Sequence, residues 1–164
     1  MYFRSAFASA AGLLAAGCAL TAFNGLEPGR SAEGEVRRAL GEPAMAFADA
    51  DGARQLVFPS GPLGTQTYMA FLSPDGRLAR LEQALREENF RQLAPGRTSR
   101  DEVLRLIGPP WRTIDFPNKG QVAWDYRFQD TWGYLAEFSV MLDGRGIVAE
   151  TVTVRLERER GDSK

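Results

Sequence analysis

The chain has no histidine, one cysteine and almost no net charge, and each shortage excludes a class of function. It contains 164 residues, of which 20 are basic and 21 acidic, so its formal net charge is −1. This balance provides no basic surface for nucleic acid. Without histidine, the chain lacks the usual proton shuttle near neutral pH and the commonest metal ligand. The single cysteine, Cys18, excludes an intrachain disulfide and a thiolate-rich zinc site. We therefore expect no cofactor and no metal site.

The N-terminal apolar run is too short to span a bilayer and is typical of an export signal. Residues 1–17 place one cation, Arg4, before a run of small and apolar residues. The run ends in Leu13-Leu14-Ala15-Ala16-Gly17-Cys18, which resembles the lipobox of bacterial lipoproteins, where cleavage exposes a cysteine that carries acyl chains. Ala15 stands where that motif favours leucine. Two alternatives remain: a type I signal peptide cleaved between small residues, and an ordinary buried cysteine.

A lipidated Cys18 would anchor the protein to a membrane without crossing it. Each buried methylene contributes about 0.8 kcal/mol, so several acyl chains hold a protein essentially permanently. Ala19 follows the cysteine. In enterobacterial lipoproteins an aspartate at that position marks retention at the inner membrane, so the resemblance implies the periplasmic face of the outer membrane.

The chain contains an internal repeat. Ten of the 21 positions in residues 23–43 are identical to those in residues 90–110 at a constant offset of 67. Such a repeat predicts two copies of one structural unit. We place the signal peptide at residues 1–17, a diverged first unit at 18–85, a second unit at 86–156 and a charged tail at 157–164.

Each copy predicts a short helix with start and stop signals. Ser31 and Thr98 are the predicted N-caps, and Asp101 follows Thr98 at the capping-box spacing, although with Asp in place of Glu. Glycine and proline end both predicted helices, at Gly41 and Pro43 and at Gly108 and Pro110.

After each predicted helix the hydrophobic period changes to two. In the second copy the alternating rows are Val122–Phe128, Tyr134–Leu142 and Val148–Leu156, and weaker equivalents follow the first helix. Trp124 is predicted to lie in the core. The fold class predicted is α+β, with two tandem units of a short helix plus an antiparallel β-meander in a two-layer, helix-on-sheet arrangement. Because a unit of about 65 residues is marginal alone, we expect the units to pack together.

The second copy resembles the SmpA/OmlA family, the BamE-type lipoproteins. The resemblance is carried by Phe90-x-x-Leu93-x-Pro95-Gly96-x-Thr98, Glu102-Val103, Ile107-Gly108-x-Pro110 and the aromatic strand that follows. It implies a non-enzymatic accessory subunit of the outer-membrane β-barrel assembly machinery that binds envelope proteins and contacts anionic phospholipid. The duplication is also similar to the β-lactamase-inhibitory protein, whose tandem units present a concave sheet to a partner.

Four residues are candidate partner contacts. Trp132 and Tyr134 fall at a predicted hairpin tip, where aromatics suit contact with a partner or headgroup. The alternative is that Trp132 folds back over the sheet edge. Arg30 and Arg97 precede the two helices, where they could hold a phosphate or an acidic loop. The alternative there is a solvated turn residue. Trp111 and Phe116 are predicted to be core residues.

The leading functional hypothesis is a lipid-anchored periplasmic interaction module of the bacterial envelope, accessory to outer-membrane protein assembly or envelope integrity. The alternative is an inhibitor or small-ligand module that uses a concave tandem sheet. An enzyme is not expected, because nothing in the sequence places a carboxylate pair, such as Asp49 with Asp51 or Asp125 with Asp130, in a cleft.

Overall fold

The computed structural model describes residues 25–60 and 64–156. The predicted signal peptide, Cys18 and the charged tail lie outside these residues. The helices are α1 (Glu33–Leu40), α2 (Glu87–Phe90) and α3 (Arg100–Ile107). The strands are β1 (Met45–Ala48), β2 (Arg54–Pro59), β3 (Thr67–Leu72), β4 (Leu78–Gln83), β5 (Arg112–Phe116), β6 (Gln121–Gln129), β7 (Leu135–Leu142) and β8 (Val148–Arg155).

The described chain is mostly β, so the predicted α+β, two-layer helix-on-sheet class is wrong. Its strands form two four-stranded antiparallel meanders, in the orders β1-β2-β3-β4 and β5-β6-β7-β8. The three helices have only eight, four and eight residues. A helix of eight residues is about 12 Å long and cannot form a layer over such a sheet. The capped helices carry the clearest local signals in the sequence, but the strands that follow them contain most of the ordered structure.

Strand side chains also supply most of each core. In the first unit, Val36 is the one fully buried residue of α1, and it packs against strand residues such as Leu56 and Leu72. In the second unit, α3 contributes Val103 and Ile107 to a core that includes the predicted core residue Trp124. Phe90 of α2 stacks on Phe138 with ring centroids 4.0 Å apart. The helices therefore add a few side chains to two cores that are built mainly from strand residues.

The two units contact each other through the end of α3. The carbonyl of Arg105 accepts a hydrogen bond from Nε2 of Gln55 at 2.6 Å, although the two residues are 50 apart in the chain. The guanidinium of Arg105 pairs with Asp49 at 2.8 Å and lies 4.8 Å from the centre of the Phe47 ring. A Cβ on Gly108 would lie 3.0 Å from a methyl of Val57. The face of the first sheet that points away from α1 is therefore buried against the end of α3.

The predicted N-caps are displaced by one residue. Helix α3 is capped by Ser99, whose hydroxyl accepts from the N–H of Glu102 at 3.3 Å while Glu102 accepts from the N–H of Ser99 at 2.7 Å. This is a complete capping box. The predicted caps Ser31 and Thr98 instead accept from the N–H groups of Glu27 and Ala94, four residues earlier.

The displacement has a tertiary cause. The carbonyls of Ser31 and Thr98 each accept, at 2.8 Å, the N–H of the first residue of an edge strand, Leu78 and Val148 respectively. Both residues are therefore fixed to the sheet, the next residues, Ala32 and Ser99, have extended backbone, and each helix begins after them. The glycines that end the helices, Gly41 and Gly108, lie where the sequence predicts them and have positive φ.

Candidate protein-binding surface

The turn between β6 and β7 exposes two large aromatic side chains. We call residues 130–134 the aromatic hairpin. Trp132 is 80% exposed and Tyr134 is 57% exposed. The prediction that aromatic rings project from this turn is confirmed, and the alternative in which Trp132 folds back over the sheet edge is wrong. An exposed aromatic ring is costly to hydrate and is a frequent anchor in protein interfaces.

Asp130 holds the aromatic hairpin in one conformation. Its Oδ1 accepts from the backbone N–H groups of Trp132 and Tyr134 at 2.9 and 2.8 Å. Its Oδ2 accepts from Nε of Arg155 at 2.9 Å, and the same guanidinium lies 4.6 Å from the centre of the Tyr134 ring. Thr131 donates its hydroxyl to Glu87 at 3.2 Å. The rings are therefore presented by a turn whose backbone is fixed from two sides.

These contacts also set the ionisation of Asp130. Burial favours the neutral acid, but hydrogen bonds from the N–H of Tyr134, the Arg155 guanidinium and the N–H of Trp132 outweigh it and hold the pKa below the ordinary value. Asp130 is consequently a carboxylate at neutral pH. Its charge serves the turn and is not part of a carboxylate pair with Asp125.

One face of the second sheet carries further exposed apolar side chains. We call the face that points away from α3 the open face. Its exposed large hydrophobic residues are Ile114, Phe116, Leu135, Val152 and Val154. All seven exposed large hydrophobics of the described chain, these five with Trp132 and Tyr134, belong to the second unit. Such clustering distinguishes an interaction surface from the scattered apolar residues of an ordinary exterior.

Two expectations about this face are wrong. Phe116 is 37% exposed on an edge strand, and is not a core residue. Alternation along the strand predicts that Val152 and Val154 lie on the same face as Val148, which is fully buried, but both valines are exposed. A register shift opposite Met141 and Leu142 inserts one residue into the start of β8. Because side chains alternate along a strand, that single residue transfers both valines to the opposite face.

An ionic cluster around the buried carboxylate of Asp125 lies at the centre of the open face. Arg112 pairs with Asp125 at 2.6 Å and with Glu137 at 3.1 Å, and Ser139 donates its hydroxyl to Asp125 at 2.7 Å. The Asp125 side chain is only 3% exposed. Hydrogen bonding to Asp125 raises the pKa of Arg112, against the opposing effect of burial. The cluster is internally satisfied, so it stabilises charge and offers no unpaired acid or base.

The guanidinium of a second arginine extends this polar centre. The guanidinium of Arg127 lies 4.0 Å from the centre of the Trp111 ring. The guanidinium of Arg112 lies 4.6 Å from the same ring centre. Trp111, predicted to be a core residue, is half-buried beneath them. The open face therefore combines an apolar margin with a centre of paired charges and one aromatic ring.

The other two candidates lie elsewhere. Arg30 is 82% exposed in its side chain and pairs with Glu27 at 2.8 Å. Arg97 is exposed in the turn at residues 95–97. The N–H of Gly96, in the same turn, donates to the carbonyl of Val148. That turn lies beside the start of β8, whereas the aromatic hairpin precedes the start of β7, the opposite end of an antiparallel pair. The structure does not bring the arginines together with Trp132 and Tyr134.

The described residues contain no cluster of metal ligands and no membrane-spanning helix. Over residues 25–60 and 64–156, no group of three or more acidic, histidine or cysteine side chains is arranged to hold a metal ion. No helix in the same residues is both long and apolar enough to cross a membrane. Their strands form two sheets, and neither sheet spans both units.

Comparisons with known proteins leave the family open. No family model matches the chain, and no curated protein matches it. Among solved structures, it is similar to a DUF4309 family protein (YjgB) from Bacillus subtilis subsp. subtilis str. 168. The sequence identity is 19%, the alignment covers 81% of this chain and 83% of that chain, and the TM-score is 0.31. This similarity is too low to assign a function, and membership of the SmpA/OmlA family stays a prediction.

Proposed function

We propose that this protein is a lipid-anchored periplasmic interaction module of the bacterial envelope, accessory to outer-membrane protein assembly or envelope integrity. The observation that carries the proposal is the concentration of exposed large hydrophobics on the second unit, with Trp132 80% exposed on a braced turn. Rigid aromatic rings bind a partner at little cost in conformational entropy. The protein would bind its partner by surface complementarity, and the aromatic hairpin and the open face would form the contact surface.

The proposal of membrane attachment rests on the sequence alone. Leu13–Cys18 supplies the lipobox-like motif, and the SmpA/OmlA resemblance supplies the outer-membrane address. Arg30 and Arg97 are exposed and remain candidate contacts for anionic phospholipid headgroups.

Lipidation is tested by labelling cells with a radiolabelled fatty acid. Wild-type protein should incorporate label and fractionate with the outer membrane, whereas Cys18→Ala should do neither. Equal labelling of the two proteins would remove the anchor and the localisation argued from it.

The contact surface is tested by recovery of envelope partners from detergent-solubilised membranes. Trp132→Ala should reduce recovery of a specific partner at least roughly tenfold, the effect of losing a central aromatic anchor. Arg145→Ala is the matched control, because Arg145 is 81% exposed in its side chain on the turn that joins β7 to β8. Equal recovery with both variants would show that the aromatic hairpin is not the contact.

A further inference from the structure

Strand β8 presents an unpaired edge. It is the last strand of the second sheet and pairs only with β7 within the described chain. The N–H of Leu156, just beyond β8, donates to the carbonyl of Leu135 at 2.9 Å. Hydrogen-bonded pairs alternate along an antiparallel ladder, so Val152 and Val154 also bond to β7. Thr151, Thr153 and Arg155 therefore direct their backbone N–H and carbonyl groups away from the sheet.

The start of the same edge shows that it accepts hydrogen bonds from a passing chain. Val148 donates its N–H to Thr98 and accepts at its carbonyl from the N–H of Gly96, both at 2.8 Å. The 96–98 turn covers only this first residue. Among the described residues, no hydrogen bond satisfies the outward groups of Thr151 and Thr153.

The other three edge strands are protected in ways that β8 is not. Strand β1 has four residues, and β5 has five and runs directly into Pro117. Strand β4 carries Arg80 and Glu82. Strand β8 has eight residues, and four consecutive ones, Thr151–Val154, are uncharged and β-branched. Short length, proline and charge are the usual devices against edge pairing. The charged residues of β8, Glu150 and Arg155, flank the segment Thr151–Val154, so this segment carries none of the three devices and is marked as a pairing site.

A groove of about 460 Å³ runs beside this edge on the side opposite the open face. Phe90, Ala136 and Phe138 contribute its apolar lining, and Thr151 and Thr153 of β8 contribute hydroxyls. Its four charged residues form two pairs: Glu87 with Arg91 at 3.7 Å and Asp130 with Arg155 at 2.9 Å. The groove is thus apolar in part, polar at its margin and without net charge.

We propose that the edge of β8 binds an extended segment of a partner protein as an added strand. Main-chain hydrogen bonds to Thr151, Thr153 and Arg155 supply affinity, and side chains on either side of the added strand supply specificity. Residues opposite Val152 and Val154 lie on the open face and are apolar. Residues opposite Thr151 and Thr153 enter the groove, where a side chain with an apolar body and a polar end, such as tyrosine, fits both the lining and the margin. The neutral groove favours an uncharged segment. The mode of binding goes beyond the proposed function and does not depend on the lipid anchor.

The probe is a fluorescein-labelled peptide, Lys-Val-Thr-Val-Tyr-Val-Thr-Val-Lys with amidated C-terminus, titrated with the full chain by fluorescence anisotropy. Two further peptides carry N-methyl groups on the two alternate sets of residues. An added strand uses only one set of N–H groups for pairing. One N-methylated peptide should therefore lose binding, and the other should retain it.

The protein variant is Thr153→Pro, with Thr153→Val as its matched control. The N–H of Thr153 faces the open edge, so proline leaves the β7–β8 ladder intact, as proline does on natural edge strands. Loss of this donor should weaken peptide binding roughly tenfold, whereas valine, which keeps the N–H, should change it less than about twofold. In the wild type, peptide should also slow hydrogen exchange at the amides of Thr151 and Thr153, a readout that needs no variant.

Three results of the peptide titrations would overturn the proposal, and a fourth result concerns self-association. They are an absence of saturable peptide binding, equal binding of both N-methylated peptides, and equal affinity of wild type and a folded Thr153→Pro. Concentration-dependent self-association that Thr153→Pro abolishes and Thr153→Val preserves would also overturn it, because the occupant would then be a second copy of this chain.

Discussion

At the scale of single residues, the two glycines that end the eight-residue helices α1 and α3 have similar backbone angles but different surroundings. Gly41 has φ 88° and nothing within 4 Å of a Cβ placed on it. Gly108 has φ 81°, and a Cβ there would lie 2.9 Å from Thr67 and 3.0 Å from Val57. Both positions combine a positive φ with an extended ψ, a backbone region that glycine adopts freely and other residues avoid. Only Gly108 also lets a helix end approach a neighbouring sheet.

We expect Gly41→Ala to lower the free energy of unfolding by about 1–2 kcal/mol, the cost of a positive φ for a residue with Cβ. Gly108→Ala should cost about 1–3 kcal/mol more, because the methyl group also overlaps the first sheet. Urea denaturation of the two variants measures the difference. Equal losses would mean that the two units do not pack as closely as the structure has them.

Asp130 links the protonation state of one side chain to the order of the aromatic hairpin. Its folded-state pKa lies below the ordinary 3.8, so its contribution to stability is present above that value and is lost as the pH falls through the folded pKa. In a pH titration followed by NMR, the amides of Trp132 and Tyr134 should shift together with a midpoint below 3.8. Asp130→Asn should remove the transition, and a midpoint above 3.8 would contradict the hydrogen bonding described.

At the scale of elements, the repeat preserves the entry of the chain into α1 and α3 even where the sequence differs. The N-cap residues Ala32 and Ser99 have the same φ of −82°, with ψ of 161° and 162°. Glu35 and Glu102 accept from the N–H of their own cap residue at 2.8 and 2.7 Å. Alanine has no side-chain acceptor, so α1 has half of the capping box that α3 completes.

Removing the serine cap of α3 should therefore destabilise the protein, and adding a serine cap to α1 should stabilise it. Ser99→Ala should lower the free energy of unfolding by about 1 kcal/mol, and Ala32→Ser should raise it by about 0.5–1 kcal/mol. Ala32 is exposed, so a serine hydroxyl meets no steric obstacle from a core. Thermal denaturation of both variants checks the pair. Loss of stability in Ala32→Ser would show that the backbone of the first unit does not match that of the second.

At the scale of the whole molecule, the two sheets differ in the chemistry of one equivalent face. Strand pairing places Met45, Val57 and Met69 in one row of the first sheet, and Arg112, Asp125 and Ser139 in the matching row of the second. The apolar row is buried by the second unit, with Val57 and Met69 both 0% exposed. The ionic row forms the centre of the open face.

Placing the ionic residue in the apolar row should break the association of the units. Val57→Asp buries a carboxylate without the arginine that Asp125 has, and should cost about 3–5 kcal/mol of unfolding free energy. Val152→Asp, on the open face at 45% exposure, is the control and should change it by less than about 0.5 kcal/mol. Chemical denaturation distinguishes the two. Similar costs would mean that the face of the first sheet is not buried.

The local parts of this protein can be predicted from its sequence. The repeat, the helix stops at Gly41 and Gly108, the strand rows and the aromatic turn around Trp132 all follow from interactions between residues close in the chain. Periodicity also reports which residues are apolar along a strand. It does not report which face of a sheet is covered, because that depends on residues far away in the chain.

The other features depend on contacts between residues that are distant in the chain. Pairing of Ser31 and Thr98 with edge strands moved the caps, and one extra residue in β8 turned Val152 and Val154 outward. The dominance of strands over helices, and the burial of Val57 under the second unit, arise from contacts across some 50 residues of chain. The open face and the unpaired edge of β8 exist because the same fold that is covered in the first unit is left uncovered in the second, over the residues the structure describes.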